Sequence, residues 1–222
     1  MTTVACIVIA TERRRALVEE HVMPSVASQG FDEIVLVGDW LVSARGDKTR
    51  WYTHACVEPM LRNTTDALVK RDVGTLMTVS ENLVFLCDDH ALGPHFLASL
   101  REVLDEPWDV IVPNRYTIRH FPELGLDDAG QAGPADSVRF HHPAPSALVA
   151  LNNGERDGYC GGHAGIFRRA VVTARPWSAH SLSREWDARI SFSQRLAGAR
   201  FVWHPRAGIA IEDIEPGAEP WK

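Results

Sequence analysis

Leu83-Val84-Phe85-Leu86-Cys87-Asp88-Asp89-His90 places four uninterrupted apolar residues directly before a cysteine, two aspartates and a histidine. An apolar run of this kind, bounded by polar residues, is the signature of a strand buried on both faces that ends at a polar edge. The same design occurs twice upstream, where Val4–Ala10 runs into Thr11 and Glu12, and Glu33–Val37 runs into Gly38-Asp39. Between those two strands, Leu17, Val18, Val22 and Val26 give Glu12–Gln29 a helical spacing, closed by Gly30. Further helices are expected around Thr65–Val73, leading to Gly74, and over Gly93–Asp105, with another strand at Asp109–Pro113. Strands alternating with helices predict an α/β fold, a mostly parallel twisted sheet with flanking helices on both faces. In such sheets ligands bind outside the carboxyl ends of the strands, where Thr11, Glu12, Asp39, Asp88 and Asp89 fall.

The chain has 222 residues, enough for one substantial core, so a single domain over 1–222 is expected, with a nucleotide-binding half at about 1–115 and an acceptor half at about 116–222. Lys and Arg number 23 against 29 Asp and Glu, a net charge of −6 that argues against a general nucleic-acid coat. No apolar run approaches the roughly 20 residues of a membrane helix, so no membrane span is expected. The N-terminus lacks the charged region of a secretory signal. Cys6, Cys56, Cys87 and Cys160 are scattered without a CxxC pair, which fits reduced thiols in the cytoplasm. From His120 to Asn153 prolines and glycines break any long element, as in a functional loop. Beyond it come a glycine-rich stretch at Gly158–Gly165, a helix-like Ile166–Thr173, a helix from about Glu185 to Ala197 and a strand near Phe201–His204.

Several groups could carry chemistry. Asp88 and Asp89 repel each other at a strand exit, and a hard cation bridging to phosphate oxygens would compensate them. His90 would add a nitrogen ligand and favour Mn2+ over Mg2+. The alternative is that an aspartate caps the helix expected near Gly93. Arg184-Glu185-Trp186-Asp187 opens a helix, where a carboxylate either accepts a proton from a nucleophile or serves the helix dipole. The glycines around Tyr159 allow close backbone approach to a ligand or a tight turn. Tyr159 itself offers a stacking wall for a sugar, or packs in the core. This stretch is neither GxGxxG nor a P-loop. Arg13-Arg14-Arg15 reads as a solvated face, or as a contact for a diphosphate. His141-His142 lacks ligand spacing, and neither GxSxG nor a Cys–His signature is present.

Taken in order, these pieces resemble the family-2-like glycosyltransferases of the GT-A fold, over most of the chain. Cys6–Thr11 looks like the family's first strand, and Glu33–Asp39 like the second, whose Asp contacts the base. Arg71-Asp72-Val73-Gly74 resembles the Arg-Asn-x-Gly turn, with Asp72 for Asn. Cys87 stands where the family's Asp-x-Asp begins, and Asp89 falls on the metal-bonded position. Gly161–Arg169 is similar to the glycine-rich turn before the acceptor site. Glu185-Trp186-Asp187, Arg195–Arg200 and His204-Pro205 resemble the family's catalytic helix and its closing Pro.

The resemblance implies metal-dependent transfer of a sugar from a nucleotide-sugar to an acceptor hydroxyl, with inversion. It puts Asp187 on the catalytic base, supported by Glu185, and assigns the donor to Thr11, Glu12, Asp39, Arg71 and Asp88. The Mn2+ or Mg2+ would go to Asp89 with Asp88 and His90, and the acceptor to Tyr159, Gly161, Gly162, His163 and Trp186. Two other readings stand beside it: a catalytically inactive GT-A-like binding module, which the Cys87 departure favours, and a nucleotidyltransferase, against which Ala10-Thr11-Glu12-Arg13 offers no glycine. The acceptor stays open between a small molecule, a glycan, a protein and a modified nucleic-acid base, and so does assembly into a homo-oligomer.

Overall fold

The computed structural model describes residues 2–40, 49–53, 64–88, 90–93, 95–117, 149–150, 164–180 and 197–211. Its strands are β1 (Val4–Ile9), β2 (Glu33–Gly38), β3 (Thr49–Thr53), β4 (Asn82–Cys87), β5 (His90–Leu92), β6 (Val110–Thr117), β7 (Val149–Ala150), β8 (Ala164–Arg168) and β9 (Phe201–Ile211). Among the described residues they form one sheet in the order β3-β2-β1-β4-β8-β6-β9-β5, with β7 also on β9. The block β3-β2-β1-β4 is wholly parallel. β6 and β9 run the same way as that block, while β5, β7 and β8 oppose it. The sheet is therefore mixed and mostly parallel.

Strand alternation sorts the core into two layers. Val4, Cys6, Val8 and Ala10 of the first strand and its exit meet Val18, Val22, Val26, Phe96, Leu97 and Leu100. Ala5, Ile7 and Ile9 meet Leu68, Val172 and Trp177 on the other face. Every residue of β1 is buried, which is why its sequence is apolar without alternation. Burial pushes the Cys6 thiol up, so it packs as a small hydrophobe and is no nucleophile.

Helix α1 covers 12–27 and changes pitch along its length, from a 3-10 turn at Glu12–Arg14, through Arg15–Leu17 and a π-turn at Val18–Val22, to Met23–Ala27. Pro24, which has no amide hydrogen for the preceding turn, follows directly on the widened segment. Helix α2 is Thr64–Leu76, α3 is Phe96–Arg101, and α4 is Arg169–Ala174. No helix among the described residues is long and apolar enough to cross a membrane.

Three local expectations change. Ile166-Phe167-Arg168 is strand, not helix, and inserts antiparallel between β4 and β6. Its two apolar residues face opposite core layers, and so short a run carries no period that separates strand from helix. β9 continues to Ile211, with a register shift opposite Pro113 and Asn114, where Pro113 has no N–H to give the ladder. α2 runs through Arg71-Asp72-Val73-Gly74 to Leu76, so the helix expected to stop before Gly74 continues past it.

Gly74 is there because the helix passes close to β1: a Cβ on it would lie 2.3 Å from Ile7 Cγ2. Gly74→Ala is expected to destabilise the fold, the clash costing about 1–3 kcal/mol against a gain of about 1 kcal/mol in helix propensity. A fall in the urea midpoint checks this, and a rise would mean that Ile7 can move aside. Asp72, two positions earlier, accepts the backbone N–H of Trp177 at 2.8 Å and of Ser178 at 2.9 Å. That anchors the 3-10 turn Trp177–His180 and seats Trp177 edge-on to Phe85 and Phe167, each 5.1 Å between ring centroids.

Candidate functional site

Three adjacent parallel strands, β2, β1 and β4, end at the same edge, and their register aligns Ile9 with both Val37 and Cys87. The residues that follow each strand therefore meet there: Ala10-Thr11-Glu12, Asp39-Trp40 and Asp88. Gly38 permits the close packing at the middle of this edge, because a Cβ on it would lie 2.7 Å from the Trp40 ring.

Asp88 is buried and tied across the edge. Its Oδ2 accepts the Thr11 backbone N–H at 2.9 Å and the Thr11 hydroxyl at 2.8 Å, and its Oδ1 accepts Arg14 Nη1 at 3.1 Å. This excludes Asp88 as a helix cap, since α3 begins only at Phe96, after His95. It also resolves Arg13-Arg14-Arg15. Arg14 turns inward to Asp88, Arg15 makes an exposed pair with Glu19 at 2.8 Å, and Arg13 faces solvent. The positive charge that the aspartate pair demands is, for Asp88, a guanidinium.

A second ionic cluster lies on the other side of Thr11. Lys70 of α2 is buried and donates to the Ala10 carbonyl at 2.8 Å. Its Nζ is 2.7 Å from Asp66 Oδ2 and 3.6 Å from Asp39 Oδ2. Asp39 Oδ1 accepts the Glu12 backbone N–H, so Asp39 bridges the exits of β1 and β2. Lys70 and Asp66 were not singled out in the sequence. Their i,i+4 spacing is legible there, but it usually marks an exposed helical pair, and only the fold shows this one buried.

Arg71 is wholly buried. It donates to the Ala67 carbonyl at 3.2 Å and to Cys87 Sγ at 3.3 Å, and its guanidinium lies 5.4 Å from the centroid of the Trp177 ring. It thus stands behind the exit of β4. His90 is buried in β5, paired in register with Ile211. Asp89, Tyr159, Gly161, Gly162, His163, Glu185, Trp186 and Asp187 lie outside the described residues. Among the described residues, no group of three His, Cys, Asp or Glu side chains could hold a cation.

Thr11, Glu12, Asp39, Arg71 and Asp88 are thus gathered at one end of a parallel block that is followed by an antiparallel strand. The fold is of the GT-A type. Among solved structures, S. aureus TarS 1-349 aligns with 94% of this chain and 59% of its own length, at a TM-score of 0.61 and 15% identity. The same protein with UDP-GlcNAc aligns with 99% of this chain and 61% of its own, at 0.62 and 14%. GalNAc-T7 with UDP, GalNAc and Mn2+ aligns with 99% and 46%, at 0.60 and 11%. At these identities the likeness is one of fold. This chain spans about half to three-fifths of the length of those proteins. No protein-family profile and no curated protein matches the sequence.

Proposed function

We propose that this chain is a glycosyltransferase that moves a sugar from a nucleotide-sugar to an acceptor hydroxyl. The observation that carries the reading is the meeting of Thr11, Asp39 and Asp88 at the carboxyl ends of adjacent strands in a GT-A-type fold. TarS was solved with UDP and with UDP-GlcNAc, and GalNAc-T7 with UDP, GalNAc and Mn2+, which supports a nucleotide-sugar donor here.

In this reading Thr11, Glu12 and Asp39 place the nucleoside, with Arg71 behind them. Asp88 locks the exits of β1 and β4 together. Both its oxygens already accept hydrogen bonds, so a cation at this edge would rest chiefly on Asp89, with His90 as its neighbour. A Mn2+ or Mg2+ bound there would offset charge on the departing diphosphate. Asp187, helped by Glu185, takes the proton of the acceptor hydroxyl as its oxygen bonds the anomeric carbon. The bond from that carbon to the diphosphate oxygen breaks at the same time, so the configuration inverts. Tyr159, Gly161, Gly162, His163 and Trp186 would line the acceptor. The donor half at about 1–115 and the acceptor half at about 116–222 would form one domain. A cytoplasmic location belongs to the same reading, with the Cys6 thiol packed in the core.

A thermal-shift series of nucleoside diphosphates and nucleotide-sugars, with and without Mn2+, tests the reading. A ligand at 100 times its Kd should add about 2.7 kcal/mol, or about 5–10 °C for a chain of this size. No shift with any of them would overturn it. The inactive-module reading draws support from Cys87 and from the full engagement of Asp88. That reading expects nucleotide binding without hydrolysis of any nucleotide-sugar, whereas a working transferase should hydrolyse its donor slowly.

A further inference from the structure

We propose that Lys70 is a positioning residue for the nucleoside part of the donor, acting through Asp39. The identity of the ligand rests on the glycosyltransferase reading; the geometry does not. Lys70 comes from α2, yet its ammonium sits beneath the exits of β1 and β2, with its side chain 1% exposed. Its contacts there are the Ala10 carbonyl and Asp66, and Asp39 stands a little farther off.

Burying an ammonium is costly, and a purely packing role is served as well by an apolar side chain. What the charge accomplishes here is specific. Asp66 and the Ala10 carbonyl satisfy Lys70 directly, at 2.7 and 2.8 Å. Asp39 Oδ2, at 3.6 Å, is beyond ordinary hydrogen-bond length, so the ammonium faces that oxygen without occupying it. The other oxygen is held by Glu12 N–H. Asp39 is thus fixed in direction and left about a third exposed, its side chain at 30%. A ring N–H of a nucleobase is the donor such a carboxylate takes. Asp66 matters as the residue that keeps Lys70 from closing on Asp39.

Calorimetric titration with UDP, GDP, CDP and ADP tests this on four proteins: wild type, Lys70→Met, Asp39→Asn and the double variant. Lys70→Met should weaken the preferred diphosphate about tenfold and should have no further effect in the Asp39→Asn background, because coupled residues are non-additive. In donor hydrolysis the same variant should raise KM and leave kcat within about twofold. Unchanged affinity, or an equal loss in both backgrounds, would overturn the role of Lys70. Wild type that binds none of the four would instead overturn the glycosyltransferase reading and the role together. If Lys70→Met does not fold, Asp66→Asn takes its place in the cycle. It preserves shape, lets the ammonium close on Asp39, and should weaken binding only where Asp39 is present; a loss independent of Asp39 would overturn the proposal.

Discussion

Asp187→Asn is expected to lower sugar transfer by about 100-fold to 10,000-fold, the usual worth of a positioned general base, while nucleoside diphosphate binding stays at its wild-type level. The amide keeps the size and shape of the carboxylate but cannot take a proton. The acceptor hydroxyl must then attack unaided, and the loss falls on kcat. The donor contacts proposed here come from the exits of β1, β2 and β4, which this substitution leaves alone. Affinity and turnover should therefore separate. Glu185→Gln, made in parallel, distinguishes the two carboxylates: a supporting residue costs less than the base itself. Turnover that survives Asp187→Asn would remove Asp187 from the base position, and a matching loss of nucleotide binding would make its role structural.

Asp88→Ala is expected to cost about 3 kcal/mol of stability, the lower end for breaking a buried ion pair from one side. The change removes the acceptor of the Thr11 backbone N–H, of the Thr11 hydroxyl and of Arg14 Nη1 in one step. The Arg14 and Asp88 side chains are 17% and 10% exposed, so water replaces the bond between them poorly. Thr11 would lose its place beside Asp39, and nucleotide affinity should fall together with the denaturation midpoint. Asp88→Asn should do less harm, because one amide oxygen still accepts from Thr11. A stable Asp88→Ala protein with full nucleotide affinity would show that the β1 turn is held by other contacts.

Three strands of the parallel block, β1, β2 and β4, were legible because each carries its own signal, whereas β3 at Thr49–Thr53 was not anticipated. Val4–Ala10, Ile34–Val37 and Leu83–Leu86 are apolar throughout, as strands covered on both faces are written. That the polar residues after them share one edge followed from parallel pairing. The purposes of those residues did not follow. Asp88 is 77 residues from Thr11 and 74 from Arg14, and no local spacing announces such a partnership. Arg14 lies within a run of three arginines whose composition suggests a wet surface or a diphosphate contact, and neither points to Asp88. Gly74, expected just after a helix, lies inside it, and that helix presses on β1 through Gly74 and on Cys87 through Arg71.

What the sequence by itself determined is the buried strands β1, β2, β4, β6 and β9, the polar edge at the carboxyl ends of the first three and the α/β class. Hydrophobic period and turn residues are local properties, felt by each segment before any long-range contact forms. The tertiary structure alone decided the insertion of β8, the pairing of Asp88 with Thr11 and Arg14, and the burial of Lys70 between Asp66 and Asp39. Those outcomes depend on which strands become neighbours and on how far a helix lies from the sheet. The desolvation of a charge is settled by the sum of everything packed around it, and residues adjacent in sequence supply only a small part of that sum.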